Sequence, residues 1–171
     1  MLLTRWNLIH RRAATGLAFL FFFAYGLQKP MLATDKNIET QNKEKIAAAF
    51  DAWRNGSGSP FDLLAPDAKW TIVGNAPVSR TYNSKQEFMD AVIKPFNARM
   101  SSRLVPTVRR IYADDDTVIA LFDAEGTARD GKPYQNTYTW YMKMNDGVIV
   151  DAIAFFDTIE FTDFWSRVKP E

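Results

Sequence analysis

Apolar positions along this chain follow three rhythms, each of which predicts different structure. From Asn42, residues Ile46, Ala49, Phe50 and Trp53 recur at i, i+3, i+4 and i+7, the spacing of one helix face, and Asn55-Gly56 ends the run. Gly56-Ser-Gly-Ser-Pro60 reads as a flexible turn, 61–64 as one further helical turn, and Ala68 to Val73 as a strand. Ser84 and Glu87 stand at capping-box spacing ahead of Phe88, Ala91, Val92 and Phe96, which predicts a helix from Lys85 toward Arg99, bent at Pro95. The rhythm then changes to alternation. Strands are expected near 107–112, 117–127, 133–144 and 148–156, divided by Asp114-Asp115-Asp116, Asp130-Gly131 and Asn145-Asp146-Gly147. Asp157 and Glu160 repeat the capping spacing before Phe161, Phe164, Trp165 and Val168, a short closing helix. This order predicts an α+β domain with helices covering one face of a sheet.

The third rhythm is a continuous apolar run. Arg5, His10, Arg11 and Arg12 precede Ala13 to Leu27, followed by Gln28, Lys29, Pro30 and a small residue at Ala33. That is the plan of a secretory signal, and its apolar part falls short of the ~20 residues a membrane-spanning helix needs. The expected organisation is a signal over 1–33, a linker over 34–41 and the domain over 42–168, with the protein exported to the periplasm or secreted. Met31 suits the cleavage site poorly, so an uncleaved membrane anchor over 13–27 is the alternative. Arg11-Arg12 reads as an ordinary basic region, because Ala13-Ala14-Thr15 lacks the apolar pair of a twin-arginine signal.

Composition narrows the chemistry. The 171 residues suffice for one domain, and 47% hydrophobic with 14% aromatic residues favours a ring-rich core. A net charge of +1 offers no field for a polyanion, so no nucleic-acid partner is expected. There is no cysteine, and the single histidine, His10, sits in the targeting segment, leaving acid-base work to carboxylates or tyrosines. Asp114-Asp115-Asp116 lacks the alternating ligand spacing of a calcium loop; no metal and no cofactor are expected.

Side chains alternate along a strand, so Leu121, Asp123, Glu125 and Thr127 share one face while Ala120, Phe122 and Ala124 share the other. If Asp130-Gly131 forms a two-residue hairpin, Asp123 stands opposite Tyr138, Glu125 opposite Asn136 and Leu121 opposite Trp140. A three-residue loop at Asn145-Asp146-Gly147 would bring Ala152, Ala154 and Phe156 onto the same face. That set has the make-up of a small-molecule pocket, apolar with a few placed polar groups. A buried Asp123 there would have the raised proton affinity a general acid or base requires. Parity alone leaves the opposite arrangement open, with both acids facing solvent and Phe122 and Ala124 in the core. Arg109-Arg110 reads as a solvated edge, the lesser alternative being that one arm pairs with a pocket carboxylate.

The helix over 46–53, Ala68-Lys-Trp-Thr-Ile-Val-Gly74, Gly131-Lys-Pro-Tyr-Gln-Asn-Thr-Tyr138, and Phe155-Phe156-Asp157 through Phe164-Trp165 together resemble the SnoaL-like members of the ketosteroid-isomerase, or NTF2-like, superfamily. The resemblance covers roughly 42–168. It implies a cone-shaped α+β fold, a curved, mostly antiparallel sheet wrapped around helices with a central pocket, often dimeric. Fold alone selects no activity. Similarity to the superfamily's epoxide hydrolases places Asp123 at a catalytic aspartate, but Leu121 and Ala154 fall where their arginine and second aspartate would stand. Ketosteroid-isomerase chemistry is not carried over either, since Ala49 stands near the tyrosine position and no acid lies between Lys69 and Val73.

Two functions follow as expectations. One is an enzyme acting on a small apolar molecule, with Asp123 as acid or base and Trp70, Glu125, Asn136, Tyr138 and Trp140 contacting substrate. The other is a non-catalytic ligand-binding module in the periplasm. A scaffold whose aromatic sheet face makes a homodimer or docks an exported partner is the third, weaker reading.

Overall fold

The computed structural model describes residues 31–170; the readings on His10, Arg11-Arg12 and the run 13–27 lie outside the described residues. Helix α1 (Met31–Asn55) starts well before the expected Asn42, so that 34–41, expected as a linker, is helical. No glycine or proline interrupts 31–55, and Gln41 donates to Asn37 one turn back at 3.0 Å. The helix ends where Gly56 takes a φ of 75°. There the Gly56 N–H donates to the Trp53 carbonyl at 3.1 Å and the Ser57 N–H to that of Ala52 at 2.9 Å, a double closure that satisfies helix-end carbonyls.

A 3₁₀ turn (Pro60–Leu63) leads into β1 (Leu64–Ile72) and the short β2 (Thr81–Tyr82). The second helix is one run over 85–97 with a change of winding inside it: α2 (Lys85–Phe88), a π-helical segment (Met89–Ile93) and α3 (Lys94–Asn97). Pro95 is the cause. It has no N–H to donate and its ring crowds the preceding turn, and the wider winding, in which the Lys94 N–H reaches back to the Met89 carbonyl, accommodates it. The predicted cap is present, Ser84 Oγ accepting from the Glu87 N–H at 3.1 Å. Strands β3 (Val105–Asp114), β4 (Thr117–Thr127), β5 (Pro133–Asn145) and β6 (Val148–Phe156) follow, and Asp157 caps the closing helix α4 (Thr158–Arg167).

The six strands form one curved, unclosed sheet in the order β2-β1-β6-β5-β4-β3, antiparallel except for the β1–β6 pair. The helices cover the concave face. Phe50 of α1 meets Phe122 of β4 with ring centroids 4.8 Å apart, and Phe88 stacks on Trp70 of β1 at 4.5 Å. Arg99, 7% exposed, ties α4 to the end of the 85–97 run by donating to the carbonyls of Val168 at 2.9 Å and Pro95 at 2.8 Å.

The hairpin joining β4 and β5 differs from the two-residue turn expected at Asp130-Gly131. Ala128 donates to the Lys132 carbonyl at 2.9 Å, leaving a three-residue loop in which Gly131 has a φ of 83°. One added residue shifts the pairing by one and exchanges the faces. Asp123 therefore pairs with Thr137, Glu125 with Gln135 and Leu121 with Thr139, while Phe122, Ala124 and Ala120 oppose Tyr138, Asn136 and Trp140. The β5–β6 hairpin departs too: its loop has two residues, Asp146 (φ 49°) and Gly147 (φ 76°), where three were expected. A bulge between Lys143 and Met144 restores the parity, so Ala152, Ala154 and Phe156 still share a face with Trp140 and Tyr138.

Candidate functional site

Between the concave face and the helices lies a cavity of about 590 Å³. Trp70, Trp140 and Ala154 supply its sheet side, and Trp53, Phe61 and Phe88 its helical side. The rings hold one another: Trp53 stacks on Trp140 at 5.8 Å, and Trp70 meets Trp140 edge-on at 5.0 Å. The π-helical segment contributes Met89, Val92 and Ile93 to the wall, so the rewinding at Pro95 shapes this lining directly. Exposed lining residues mark the opening: Gly56 beyond α1, Asn97, and Ser101 to Arg103 before β3.

One polar chain enters the apolar interior. The Asn136 amide is clamped to the backbone of Asp157, accepting from its N–H at 2.9 Å and donating to its carbonyl at 3.0 Å. Its remaining amide hydrogen goes to the Tyr134 hydroxyl at 3.1 Å, which lies 2.8 Å from the Tyr138 hydroxyl. Either tyrosine can donate in that last bond. In both arrangements one phenolic hydrogen is left over, and of the two hydroxyls only that of Tyr138 belongs to a cavity-lining residue. Burial raises both phenols: Tyr134 to about 12 despite its hydrogen bonds, and Tyr138 well above the ordinary 10. Tyr138 is thus neutral at physiological pH, and its hydrogen is available to a further acceptor in the arrangement in which Tyr134 donates to it.

Of the residues expected at the site, Trp70, Tyr138 and Trp140 line the cavity, and Asn136 stands behind it as the support of Tyr134. Asp123 and Glu125 do not reach it. They lie on the outer face of the sheet, where they line a polar groove of about 620 Å³ together with Arg109, Gln135 and Asn136. The Asp123 side chain is 38% exposed, accepts from Thr137 Oγ1 at 2.7 Å and pairs with Arg109 Nε at 2.5 Å. The Thr137 hydrogen bond foremost, with Arg109 behind it, holds its carboxyl below the usual range, the opposite of what a general acid at neutral pH needs. Trp53, Phe61 and Phe88 carried only the periodicity of packing residues in the sequence, and Arg103 carried no signal.

The curved, unclosed sheet enclosing helices and a ring-lined cavity defines an NTF2-like fold. A family model for the SnoaL-like domain matches residues 46–152, and the chain belongs to that family. No curated protein sequence matches it. Among solved structures it is similar to Bal32a from a soil-derived mobile gene cassette, 17% identical with a TM-score of 0.63 over 75% of this chain and 99% of that one. It is similar to an NTF2-like protein of Burkholderia thailandensis, 23% identical, TM-score 0.58, over 70% of this chain and 94% of that one. It is also similar to a candidate SnoaL-like polyketide cyclase of Jannaschia sp., 16% identical, TM-score 0.61, over 76% and 94%. At these identities the likeness establishes the fold.

The phenol shifts fix a pH dependence. Both tyrosines are raised above their unfolded value near 10, so the stability they contribute is complete below pH ~10 and is lost as pH rises through the folded values. Absorbance titration of phenolate should show Tyr134 ionising near 12 and Tyr138 only with alkaline unfolding; ionisation of both near pH 10 in the folded protein would contradict the arrangement.

Proposed function

We propose that the protein is a binding module for a small, ring-containing apolar molecule, held without carboxylate acid-base chemistry. The observation that carries this reading is the cavity's lining. Tyr138 and Arg103 are its only ionisable side chains among the described residues, while Asp123 lies on the far face of the sheet. A proton-abstracting reaction needs a base within hydrogen-bond reach of substrate, and the lining offers none. It offers aromatic walls and one phenolic donor, a combination suited to a flat molecule carrying a carbonyl or similar acceptor. The naming of a structural relative as a SnoaL-like polyketide cyclase fits a pocket of this class without transferring the reaction. The basic-then-apolar segment over 5–27 supports export, so the proposal places binding outside the cytoplasm, in a mature chain beginning at Thr34.

The neutral aromatic ketone prodan tests this reading by fluorescence titration. Saturable one-to-one binding is expected, weakened about five- to tenfold by Tyr138→Phe, the worth of one buried hydrogen bond. Asp123→Asn should leave affinity within about twofold; a larger loss there than at Tyr138 would return the site to the outer face.

A second reading concerns assembly. On the convex face Tyr112, Ile119, Tyr141 and Ile153 fall in one cross-strand row, with Phe155 beside it. Tyr112 is 55% exposed, Phe155 45%, Ile153 40% and Tyr141 39%, an apolar surface that supports pairing with a second copy through the same face. Sedimentation velocity should find a dimer that Tyr141→Asp converts to a folded monomer; a monomeric wild type would overturn this.

A further inference from the structure

Resting on the small-molecule reading above, we propose that Arg103 makes the cavity selective for aromatic molecules that carry an anionic group, a carboxylate or its equivalent, at one end. Arg103 is the only cation among the lining residues, and it is exposed where they open to solvent. It has no carboxylate partner among the described residues; its guanidinium donates from Nη1 to the Trp53 carbonyl oxygen at 3.1 Å. That bond anchors the guanidinium at the C-terminal end of α1, where the negative end of the helix dipole favours a cation. One arm of the fork is used there. The remaining N–H groups are not engaged by any acid, which leaves planar, paired donors for an incoming anion.

Gly56 makes this placement sterically possible. A Cβ at that position would sit 2.8 Å from both Cζ and Nη1 of Arg103, so a side chain there would displace the guanidinium. The same glycine supplies the positive φ that ends α1. The helix end, the cation and the opening are thereby coupled, and the neighbouring Trp53 ring continues from the anchor into the stacked wall with Trp140. An amphiphile entering with its rings against Trp53 and Trp140 would leave its charged end beside Arg103, at the wet rim, where an anion keeps part of its hydration and little desolvation opposes binding.

A matched pair of probes isolates this charge. 8-Anilinonaphthalene-1-sulfonate and N-phenyl-1-naphthylamine share a ring system and differ by the sulfonate; each is titrated into the folded protein by its fluorescence and by quenching of tryptophan. The wild type should prefer the sulfonate by about three- to fivefold, the scale of an exposed ion pair, and the preference should shrink as salt is raised. Arg103→Gln should abolish the preference, weakening the sulfonate more than the neutral probe, and Arg103→Lys should retain part of it. Equal binding of the two probes by the wild type, or a preference that survives Arg103→Gln, overturns the proposal and leaves the small-molecule reading standing. Failure of both probes to bind overturns the small-molecule reading and this proposal with it.

Discussion

The pairing of Phe122 with Tyr138 across β4 and β5 decides what the cavity contains. With that register every ring of β5 from Tyr134 to Trp140 turns inward, stacked against its neighbours, and Asp123 and Glu125 turn out to water. The register follows from a loop of three residues instead of two between Ala128 and Lys132, closed by Gly131 in a left-handed conformation. Burying the opposite face would desolvate two carboxylates and expose Tyr138 and Trp140, so the hydrophobic effect and the cost of buried charge act in the same direction. That no carboxylate stands among the described residues lining the cavity is therefore a consequence of strand pairing.

The helices complete the cavity from above, and irregularity sets its shape. Pro95 forces the run 85–97 into π winding at the segment that supplies Met89, Val92 and Ile93 to the wall. Gly56 ends α1 and makes room for Arg103 at the opening. Asn136, satisfied at both ends by the backbone of Asp157, holds the tyrosine pair from behind. Each device positions side chains around the cavity rather than placing a carboxylate in it.

Much of the architecture was legible in the residues. Helical periodicity at Ile46, Phe50 and Trp53, the Ser84 and Asp157 caps and the strand meander all correspond to observed elements, and the family resemblance implied the cone and its cavity. Trp70, Tyr138 and Trp140 were identified as candidate contacts and line the cavity. Sequence leaves the face of Asp123 open, and the pairing that would set it beside Tyr138 does not form, because Asp130-Gly131 is compatible with two loop lengths and alternation gives parity along one strand without fixing it against the next. The second hairpin shows how parity survives an error, since the Lys143/Met144 bulge offsets a loop one residue shorter than expected. Arg103 left no trace in the pattern: its placement depends on the end of α1, about fifty residues away in sequence and in contact only through the fold.

Native mass spectrometry of the protein recovered from its own host, beside the cavity-filling variant Ala154→Met, tests the central claim most directly. A single small molecule per chain on the wild type, absent or strongly depleted on the folded variant, is the predicted result. The same molecule retained at full occupancy by Ala154→Met would place binding elsewhere and contradict the account.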